Sequence, residues 1–275
     1  MKQVIITFAA PSGGAGKSTI SREVAIASSL TDINGDHIRT CLVDANMHFG
    51  SQAHFFKLRP KYNITDLVSE CSRLHERMSF SAIDEYYGNW GNIEKYLTYI
   101  PEYHLYLLPA PTDGKYREIS FREMEQALFH LRQHFDVICI DTGNNNDSVT
   151  LAAIQLADIP VIIATDEETS FRNIERLRVR LRTEVPDSIQ LLGRSRLVVN
   201  KYALKRTERY RTLDEIERRL DMDIISVLPN SKVAWMLANL ANPVVTDTVR
   251  SALKTELLNL AHALVPEVSG KGMKK

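Results

Sequence analysis

The chain has 275 residues, of which 44% are hydrophobic and 25% are charged, so a folded globular protein is expected and the disordered, collagen-like and coiled-coil classes are excluded. The 34 basic side chains equal the 34 acidic ones, which argues against a nucleic-acid footprint over the whole surface and leaves only a local patch open. The length allows one large domain or two small ones.

Short apolar runs rich in β-branched residues alternate with segments of helical period. The predicted strands are residues 4–8, 40–43, 103–108, 136–140, 159–164, 196–199 and 224–227, and the predicted helices include 18–29, 121–134, 171–182, 213–220 and 248–264. Strands that are apolar throughout are covered on both faces, and their alternation with helices indicates βαβ units. We therefore expect an α/β fold over residues 1–266, with a doubly wound, mostly parallel sheet and helices on both faces. Residues 267–275 are predicted to be a disordered basic tail.

Aromatic residues crowd a less regular segment between the second and third predicted strands. They are Tyr86, Tyr87, Trp90, Tyr96 and Tyr99. Two interpretations are open at this point. Helices could pack these rings against the edge of the sheet, or the rings could form an exposed surface for a partner.

The three cysteines, Cys41, Cys71 and Cys139, are widely spaced and form no metal-binding motif. Two of them lie in apolar strand-like runs, so we expect buried free thiols and a reducing compartment. The apolar run at residues 4–8 is too short to cross a membrane, and no other stretch approaches the ~18 uninterrupted apolar residues of a spanning helix. The sequence therefore favours a cytoplasmic protein.

The clearest chemical signal is the glycine-rich stretch PSGGAGKST at residues 11–19, between the first predicted strand and the first predicted helix. Glycines let backbone N–H groups wrap a polyphosphate, and the helix N-terminus adds positive potential there. We expect Lys17 to reach the β- and γ-phosphates, Ser18 to ligate Mg²⁺ and Thr19 to contact the α-phosphate. Pro11 stands where the strict P-loop pattern has glycine.

Two aspartates end predicted strands that would lie beside this loop. Asp141 follows the apolar run 135–140, and Asp44 follows the run 40–43. A carboxylate at the carboxyl edge of a parallel sheet is well placed to hold Mg²⁺ next to a phosphate loop. We predict that Ser18, Asp44 and Asp141 form the metal site. The alternative for each aspartate is that it caps the turn after its strand.

The sequence resembles the MinD/ParA superfamily of deviant Walker A ATPases. The loop from Ser12 to Thr19 matches the family pattern Lys-Gly-Gly-x-Gly-Lys-Ser/Thr at all but its first position. Residues 41–46 look like the second strand and switch I, and residues 136–143 look like Walker B and switch II. Residues 197–201 are similar to the adenine-recognition strand, and residues 227–230 to the loop that closes over the base.

The resemblance implies that ATP and Mg²⁺ are the cofactors and that two copies form a homodimer with ATP. Lys17 and Asn46, which stands at the position of the family's catalytic aspartate, would be the catalytic residues. Asn200 would recognise adenine, for which a strand-end cap is the alternative. The nucleotide contacts implied by the family are Ser12, Gly13, Gly14, Ala15, Gly16, Lys17, Ser18, Thr19, Asn200 and Pro229.

Two departures from the family pattern bear on catalysis. Ser12 replaces the signature lysine that reaches the partner subunit's nucleotide, and Asn46 replaces the catalytic aspartate. A hydroxyl carries no charge, and an amide can hold a water without the negative charge that polarises it. We therefore expect Mg-ATP binding with slow or absent hydrolysis.

Three amides, Asn144, Asn145 and Asn146, follow Asp141 closely. Asparagine is common in turns because its side chain bonds to nearby backbone, so an ordinary turn is one interpretation. The other is that one amide positions the attacking water or responds to loss of the γ-phosphate. Both stay open on the sequence alone.

Further stretches resemble the TadZ/CpaE branch of the superfamily, which is associated with Flp/Tad-type pilus assembly. They are residues 49–50, 58–67, 107–111 and 168–173. The likeness implies a dimeric, ATP-dependent switch or scaffold that positions a pilus or secretion assembly through protein partners. The alternatives are an active ParA/MinD-like ATPase in DNA partition or in flagellar or division-site placement, and a small-molecule enzyme on the same fold.

Basic residues recur along two segments. These are Arg172, Arg176 and Arg180 on one predicted helix, and then the run Lys201, Lys205, Arg206, Arg209 and Arg211. Each set is either a solvated face or a surface for DNA or an acidic partner, and the neutral net charge makes DNA the less favoured alternative. Pro266 and the glycines after it argue against an amphipathic membrane helix, so no direct membrane insertion is expected.

Overall fold

The computed structural model describes residues 3–111, 117–144, 147–203, 212–248 and 250–266. In chain order its strands are β1 (Val4–Ala9), β2 (Asp32–Ile33), β3 (Asp36–His37), β4 (Thr40–Ala45), β5 (Thr98–Ile100), β6 (Leu105–Leu108), β7 (Val137–Thr142), β8 (Ile159–Thr165), β9 (Arg196–Tyr202) and β10 (Ile224–Pro229). Every predicted strand is present, and where an end differs from the prediction the shift is one to three residues. The short strands β2, β3 and β5 were not predicted, and the predicted tail lies outside the described residues.

One sheet has the strand order β10-β9-β8-β1-β7-β4-β6-β5. Its neighbouring strands are parallel, except that β5 runs antiparallel to β6. The predicted α/β fold with a mostly parallel sheet is therefore confirmed. Strands β2 and β3 form a separate hairpin, which turns at Asn34 and Gly35, both with positive φ, as two-residue hairpin turns require.

The helices connect the strands in the way that parallel neighbours require. They are α1 (Lys17–Ser29), α2 (Gln52–Phe55), α3 (Ile64–His75), α4 (Phe80–Gly88), α5 (Trp90–Glu94), α6 (Phe121–Arg132), α7 (Ser148–Leu156), α8 (Glu168–Glu184), α9 (Ser188–Arg194), α10 (Leu213–Leu220), α11 (Lys232–Asn239) and α12 (Ala252–Leu264). The predicted start of the last helix, at residue 248, is wrong. The Ser251 hydroxyl accepts a hydrogen bond from the Lys254 backbone N–H and caps the helix at that point.

Apolar side chains cover the sheet on both faces, and β1 shows how. Ile6 belongs to a buried cluster with Val24 of α1 and Leu257 of α12. The adjacent residue, Ile5, belongs to a second cluster on the opposite face, together with Leu67 of α3. Successive side chains of a strand point to opposite faces, so a strand buried on both sides has to be apolar throughout. This arrangement confirms the interpretation of the apolar runs.

The aromatic segment packs against the edge of the sheet. Tyr87 and Tyr96 are buried, and the ring of Trp90 lies edge-on to Tyr106, with 5.2 Å between the ring centroids. Tyr99 is the more exposed member, at 44%. The first of the two interpretations of this segment, helices that pack their rings on the sheet edge, is confirmed.

All three cysteines are buried free thiols, as predicted. Burial raises the pKa of the Cys41 and Cys139 thiols well above the ordinary value, which keeps both protonated and unreactive at neutral pH. No helix in the part of the chain that the structure describes is long and apolar enough to cross a membrane.

Candidate functional site

The loop between β1 and α1 turns at two glycines. Gly14 and Gly16 have φ angles of +70° and +96°, a left-handed region that residues with a Cβ rarely adopt. A Cβ on Gly16 would also lie 2.2 Å from Nδ2 of Asn200. Helix α1 then begins at Lys17 without a side-chain cap at its N-terminus. Its first backbone N–H groups are therefore suited to bind an anion.

This loop borders an open cavity of about 650 Å³. One set of lining residues is polar or glycine and comes from the loop and the first turn of α1. A second set is apolar and comes from α1, β10, α11 and α12. The two sets are Gly14, Gly16, Lys17, Ser18 and Thr19, and Ile20, Leu228, Ala234, Ala238, Leu253 and Leu257. A ligand with a charged part and a flat apolar part would match this lining.

Lys17 is 5% exposed, and its ammonium group donates a hydrogen bond to Oδ1 of Asn144. Burial lowers the pKa of Lys17, and the nearby carboxylate of Asp141 opposes that change. Asn144 also lines the cavity. The contact joins this amide to the phosphate loop, and its role in hydrolysis stays a prediction. Asn145 and Asn146 lie outside the described residues.

Asp141 is fully buried beside the first turn of α1. Its Oδ2 accepts a hydrogen bond of 2.7 Å from Nε2 of Gln52, whereas its Oδ1 is buried without a partner. Burial raises the pKa of Asp141, and the neighbouring Gln52 and Ser18 side chains oppose that increase. A buried oxygen without a partner is costly, and a metal ion or its bound water would satisfy it.

Asp141 and Ser18 fit Mg²⁺ in kind and in number. Mg²⁺ prefers oxygen ligands and is usually held by one or two carboxylates together with substrate phosphates. The described residues contain no group of three or more His, Cys, Asp or Glu side chains that could hold a metal ion. A site at the phosphate loop would therefore depend on the ligand's own oxygens.

Asp44, the third predicted metal ligand, has protein partners instead. Its carboxylate accepts hydrogen bonds from the backbone N–H groups of Asn46, Ser51 and Gln52. Burial and the charge of Asp141 raise the pKa of Asp44. The structure thus gives this residue the turn-capping arrangement, the alternative recognised in the sequence. Its metal role stays a prediction.

The two positions that depart from the family pattern are also engaged locally. The Asn46 amide donates to the carbonyl of Phe49 at 2.9 Å, and its Oδ1 accepts from the Phe49 backbone N–H at 3.3 Å. The Ser12 hydroxyl accepts a hydrogen bond of 3.2 Å from Nδ2 of Asn173 on α8. Asn46 lines the cavity and Ser12 does not.

Asn200 is bonded to the phosphate loop. Its Nδ2 donates to the carbonyl of Ala15 at 2.8 Å, and its Oδ1 accepts from the Lys201 backbone N–H at 2.9 Å. The Lys201 ammonium donates to the Gly14 carbonyl at 2.7 Å. This arrangement is the strand-end alternative, in which the amide fastens β9 to the loop, although Asn200 still borders the cavity.

The structure brings the predicted site residues together around the carboxyl edge of β1, β4, β7 and β9. Eight of them line the cavity and the other five do not. The first group is Gly14, Gly16, Lys17, Ser18, Thr19, Asn46, Asn200 and Pro229, and the second is Ser12, Gly13, Ala15, Asp44 and Asp141.

Sequence reasoning missed Gln52. This side chain is fully buried and bonds to Ser18, Asp141 and Arg22. A single glutamine at the start of a four-residue helix carries no distinctive spacing, so no sequence signal pointed to it.

Sequence comparison finds relatives along most of the chain, although no family model matches it. The MinD septum site-determining protein of Bacillus subtilis is 22% identical over 246 residues, which cover 88% of this chain and 82% of that protein. MinD of Thermotoga maritima is 24% identical over 243 residues, covering 87% and 80%. A ParA family ATPase from Chlorobium tepidum superposes with a TM-score of 0.73 at 22% identity, over 94% of this chain and 98% of that one. The chain resembles the MinD/ParA superfamily in both sequence and fold.

Other solved members of the MinD/ParA superfamily share the fold over their whole length. MinD of Aquifex aeolicus, in its complex with MinC, gives a TM-score of 0.72 at 19% identity, covering 99% of this chain and 98% of that one. MinD of Pyrococcus horikoshii, in complex with Mg-ADP, gives 0.69 at 16% identity over 100% of both chains. The resemblance stated from the loop is confirmed at the level of the superfamily. The TadZ/CpaE branch stays a prediction.

Acidic side chains neutralise part of the positive charge on α8, the predicted basic helix. Arg172 pairs with Glu168 and Arg180 with Glu184. Arg219 of α10 reaches the same helix and pairs with Glu168 and Glu175. The pairing favours the solvated-face interpretation of α8. Of the second basic run, only Lys201 lies within the described residues.

Proposed function

We propose that this chain is a MinD/ParA-type switch that binds Mg-ATP. The observation that carries the proposal is the cavity beside the phosphate loop, where Lys17 and the uncapped start of α1 are joined to an apolar lining. The triphosphate fits the cationic and N–H-rich part, and the base fits the apolar part, where Pro229 also borders the cavity. Mg-ADP in the related Pyrococcus horikoshii MinD supports this choice of ligand.

Each loop residue has a simple task in this proposal. The backbone around Gly14 and Gly16 wraps the phosphates, Lys17 exchanges Asn144 for a phosphate oxygen, and Thr19 borders the α-phosphate. Ser18 and Asp141 hold Mg²⁺, which neutralises phosphate charge when bound. Asp44 supports the loop that carries Asn46.

We also propose that hydrolysis is slow or absent. The Asn46 amide is already bonded on both sides to Phe49, and it carries no negative charge to polarise a water. Ser12 is bonded to Asn173 and offers no charge to a second subunit. The attacking water is then less well positioned and the charge that develops at the γ-phosphate is less well stabilised. The activation free energy of hydrolysis is therefore lowered less than in an active enzyme.

The cellular role that we propose is that of the TadZ/CpaE branch. Two copies would close around ATP as a homodimer and present a surface to components of a pilus or secretion assembly. Placement at a pole or at the membrane would then depend on those protein partners rather than on direct insertion. The support for this finer assignment is the branch-like stretches 49–50, 58–67, 107–111 and 168–173.

The test is analytical ultracentrifugation together with a fluorescent-nucleotide titration. Wild-type protein is expected to bind Mg-ATP and to become a dimer only with it. Lys17→Ala should weaken binding at least about tenfold, because a charge-assisted contact is lost. Lys61→Ala, which removes an exposed lysine elsewhere, is the matched control. Wild-type protein that binds no nucleotide would overturn the proposal.

A second candidate is an active positioning ATPase, for division-site placement or DNA partition. It is favoured by the relatives, which are MinD proteins, and by the similar structure of a Borrelia burgdorferi plasmid partition protein bound to AMPPNP. Steady turnover that Lys17→Ala abolishes would favour this candidate. Salt-sensitive DNA binding would indicate partition.

A further inference from the structure

A buried glutamine links the two residues of the proposed metal site. Gln52 is the first residue of α2 and is fully buried. Its Nε2 donates to Oδ2 of Asp141 at 2.7 Å and to the Ser18 carbonyl at 2.9 Å. Its Oε1 accepts from Nη1 of Arg22 at 3.3 Å. One amide therefore connects both proposed Mg²⁺ residues.

We propose that Gln52 is a positioning residue that holds Asp141 and the first turn of α1 in the arrangement that takes up Mg²⁺. The inference rests on the proposed function and deepens it. By bonding Oδ2, the amide leaves Oδ1, the buried carboxylate oxygen without a partner, as the atom that meets the metal or its water. Groups that fix a metal-binding carboxylate in this way commonly govern metal affinity.

The orientation of the amide is determined by its neighbours. A guanidinium only donates hydrogen bonds, so Arg22 requires the oxygen end of Gln52. The Ser18 carbonyl and the Asp141 carboxylate only accept, so they require the nitrogen end. The Arg22 guanidinium is itself held over the ring of Phe55, 3.4 Å from the ring centroid. In a flipped amide the nitrogen would face the donor Arg22 and the oxygen would face two acceptors, so this orientation is excluded.

The backbone of Gln52 is fixed as well. Oδ2 of Asp44 accepts from the N–H groups of Ser51 and Gln52, at 2.9 and 3.0 Å. The preceding Gly50 approaches Ala110 so closely that a Cβ would lie 2.4 Å from the Ala110 Cβ. The side chain therefore has little freedom to lose when the metal arrives, which is the condition for an effective positioning group.

The experiment measures Mg²⁺ dependence rather than turnover. Nucleotide affinity is measured by fluorescence titration of a labelled ADP, first in EDTA and then with increasing Mg²⁺. The variants are Gln52→Met, which keeps the length of the side chain without its amide, and Gln52→Asn, which keeps an amide on a side chain one methylene shorter. Gln155→Met on α7 makes the same replacement away from the site, and circular dichroism checks that each variant is folded.

Both Gln52 variants are expected to raise the Mg²⁺ concentration for half-saturation about tenfold or more, while the affinity in EDTA stays within about twofold of wild type. Gln155→Met should match wild type in both. An unchanged half-saturation in a folded Gln52 variant would overturn the inference, and so would an equal loss of affinity with and without Mg²⁺. If Gln52→Met fails to fold, Gln52→Asn decides. Wild-type protein that binds no labelled ADP would instead overturn the proposed function.

Discussion

Asp44 and Asp141 occupy facing positions on the neighbouring parallel strands β4 and β7, yet their carboxylates have different surroundings. Asp44 accepts three backbone N–H groups, whereas Asp141 accepts the Gln52 amide and keeps one buried oxygen without a partner. Burial raises the pKa of both, and the charge of Asp141 adds to the increase at Asp44. Two buried carboxylates this close are costly until a cation arrives.

This pair predicts a pH-dependent effect of Asp44→Asn in the absence of nucleotide and Mg²⁺. In the folded state the Asp44 carboxyl keeps its proton up to its raised pKa, whereas in the unfolded chain it releases the proton above about pH 4. The free energy of unfolding of the wild type therefore falls as pH rises between these two values. The variant cannot ionise there. Its Tm relative to wild type should therefore rise steadily between about pH 5 and pH 8. Thermal melts across this range check it, with Asp187→Asn on the surface as the control, and a constant difference would contradict it.

The hydrogen bond from Lys17 to Asn144 must break when a phosphate takes its place, so we expect this bond to lower the affinity for nucleotide. Asn144→Ala removes an acceptor that competes with phosphate for the ammonium group. A net hydrogen-bond contribution of about 1 kcal/mol corresponds to roughly fivefold tighter ADP binding. Isothermal titration calorimetry measures it, and Asn173→Ala, which alters the contact to Ser12 instead, is the matched control. Weaker binding would mean that Asn144 contacts the nucleotide itself.

The two left-handed glycines of the loop should differ in their sensitivity to substitution. Gly14 and Gly16 both have positive φ, so alanine at either costs about 1–2 kcal/mol of unfolding free energy. Only at Gly16 does the new Cβ also meet Asn200, because the space around Gly14 is open. Gly16→Ala should therefore lose more stability in urea unfolding than Gly14→Ala. Adding Asn200→Ala should remove the excess, and equal losses in the two single variants would be inconsistent with this geometry.

His130 predicts acid sensitivity that is unrelated to the nucleotide site. It is buried, neither ring nitrogen has a hydrogen-bond partner, and burial together with the nearby His75 lowers the pKa of His130 to about 4. The unfolded chain takes up a proton near pH 6.5, but the folded state does so only near pH 4, so stability falls as pH drops through this window. The difference amounts to as much as about 3 kcal/mol.

His130→Phe should flatten this acid limb, because phenylalanine keeps a ring at the position and cannot titrate. Urea unfolding at about pH 4.5 and pH 7 should show a smaller loss of unfolding free energy for the variant than for wild type. His54→Phe, at an exposed site, should leave the loss unchanged. An identical loss in His130→Phe would show that other groups carry the acid response.

Local patterns were enough to predict the sheet and the phosphate loop. The strands were predicted from apolar runs such as 4–8 and 136–140, each of which reflects burial within one strand. The loop was predicted from glycines next to a lysine. Both signals are contiguous in the sequence. The hairpin turn at Asn34 and Gly35 carries such a contiguous signal too. The edge strand β5 has only three residues, too few to show a pattern.

The connections within the site could not be predicted, because they join distant segments. Gln52 contacts residues 34 and 89 positions away, and Asn200 reaches the loop across 185 positions. Each is a single amide whose partners become defined only when the strands are assembled. The same applies to Asp44, where the sequence offered both a metal ligand and a turn cap without a means to choose between them.

The sheet ends in strands that discourage the addition of another strand. At one edge, β5 has three residues and runs against its neighbour. At the other edge, β10 pairs with β9 through shifts in register and ends in proline. Short, irregular or proline-ended edges protect a protein from joining sheets with other chains. The described part of the molecule therefore offers a second chain its side-chain surfaces rather than a shared sheet, and the dimer proposed above would form and separate through contacts of that reversible kind.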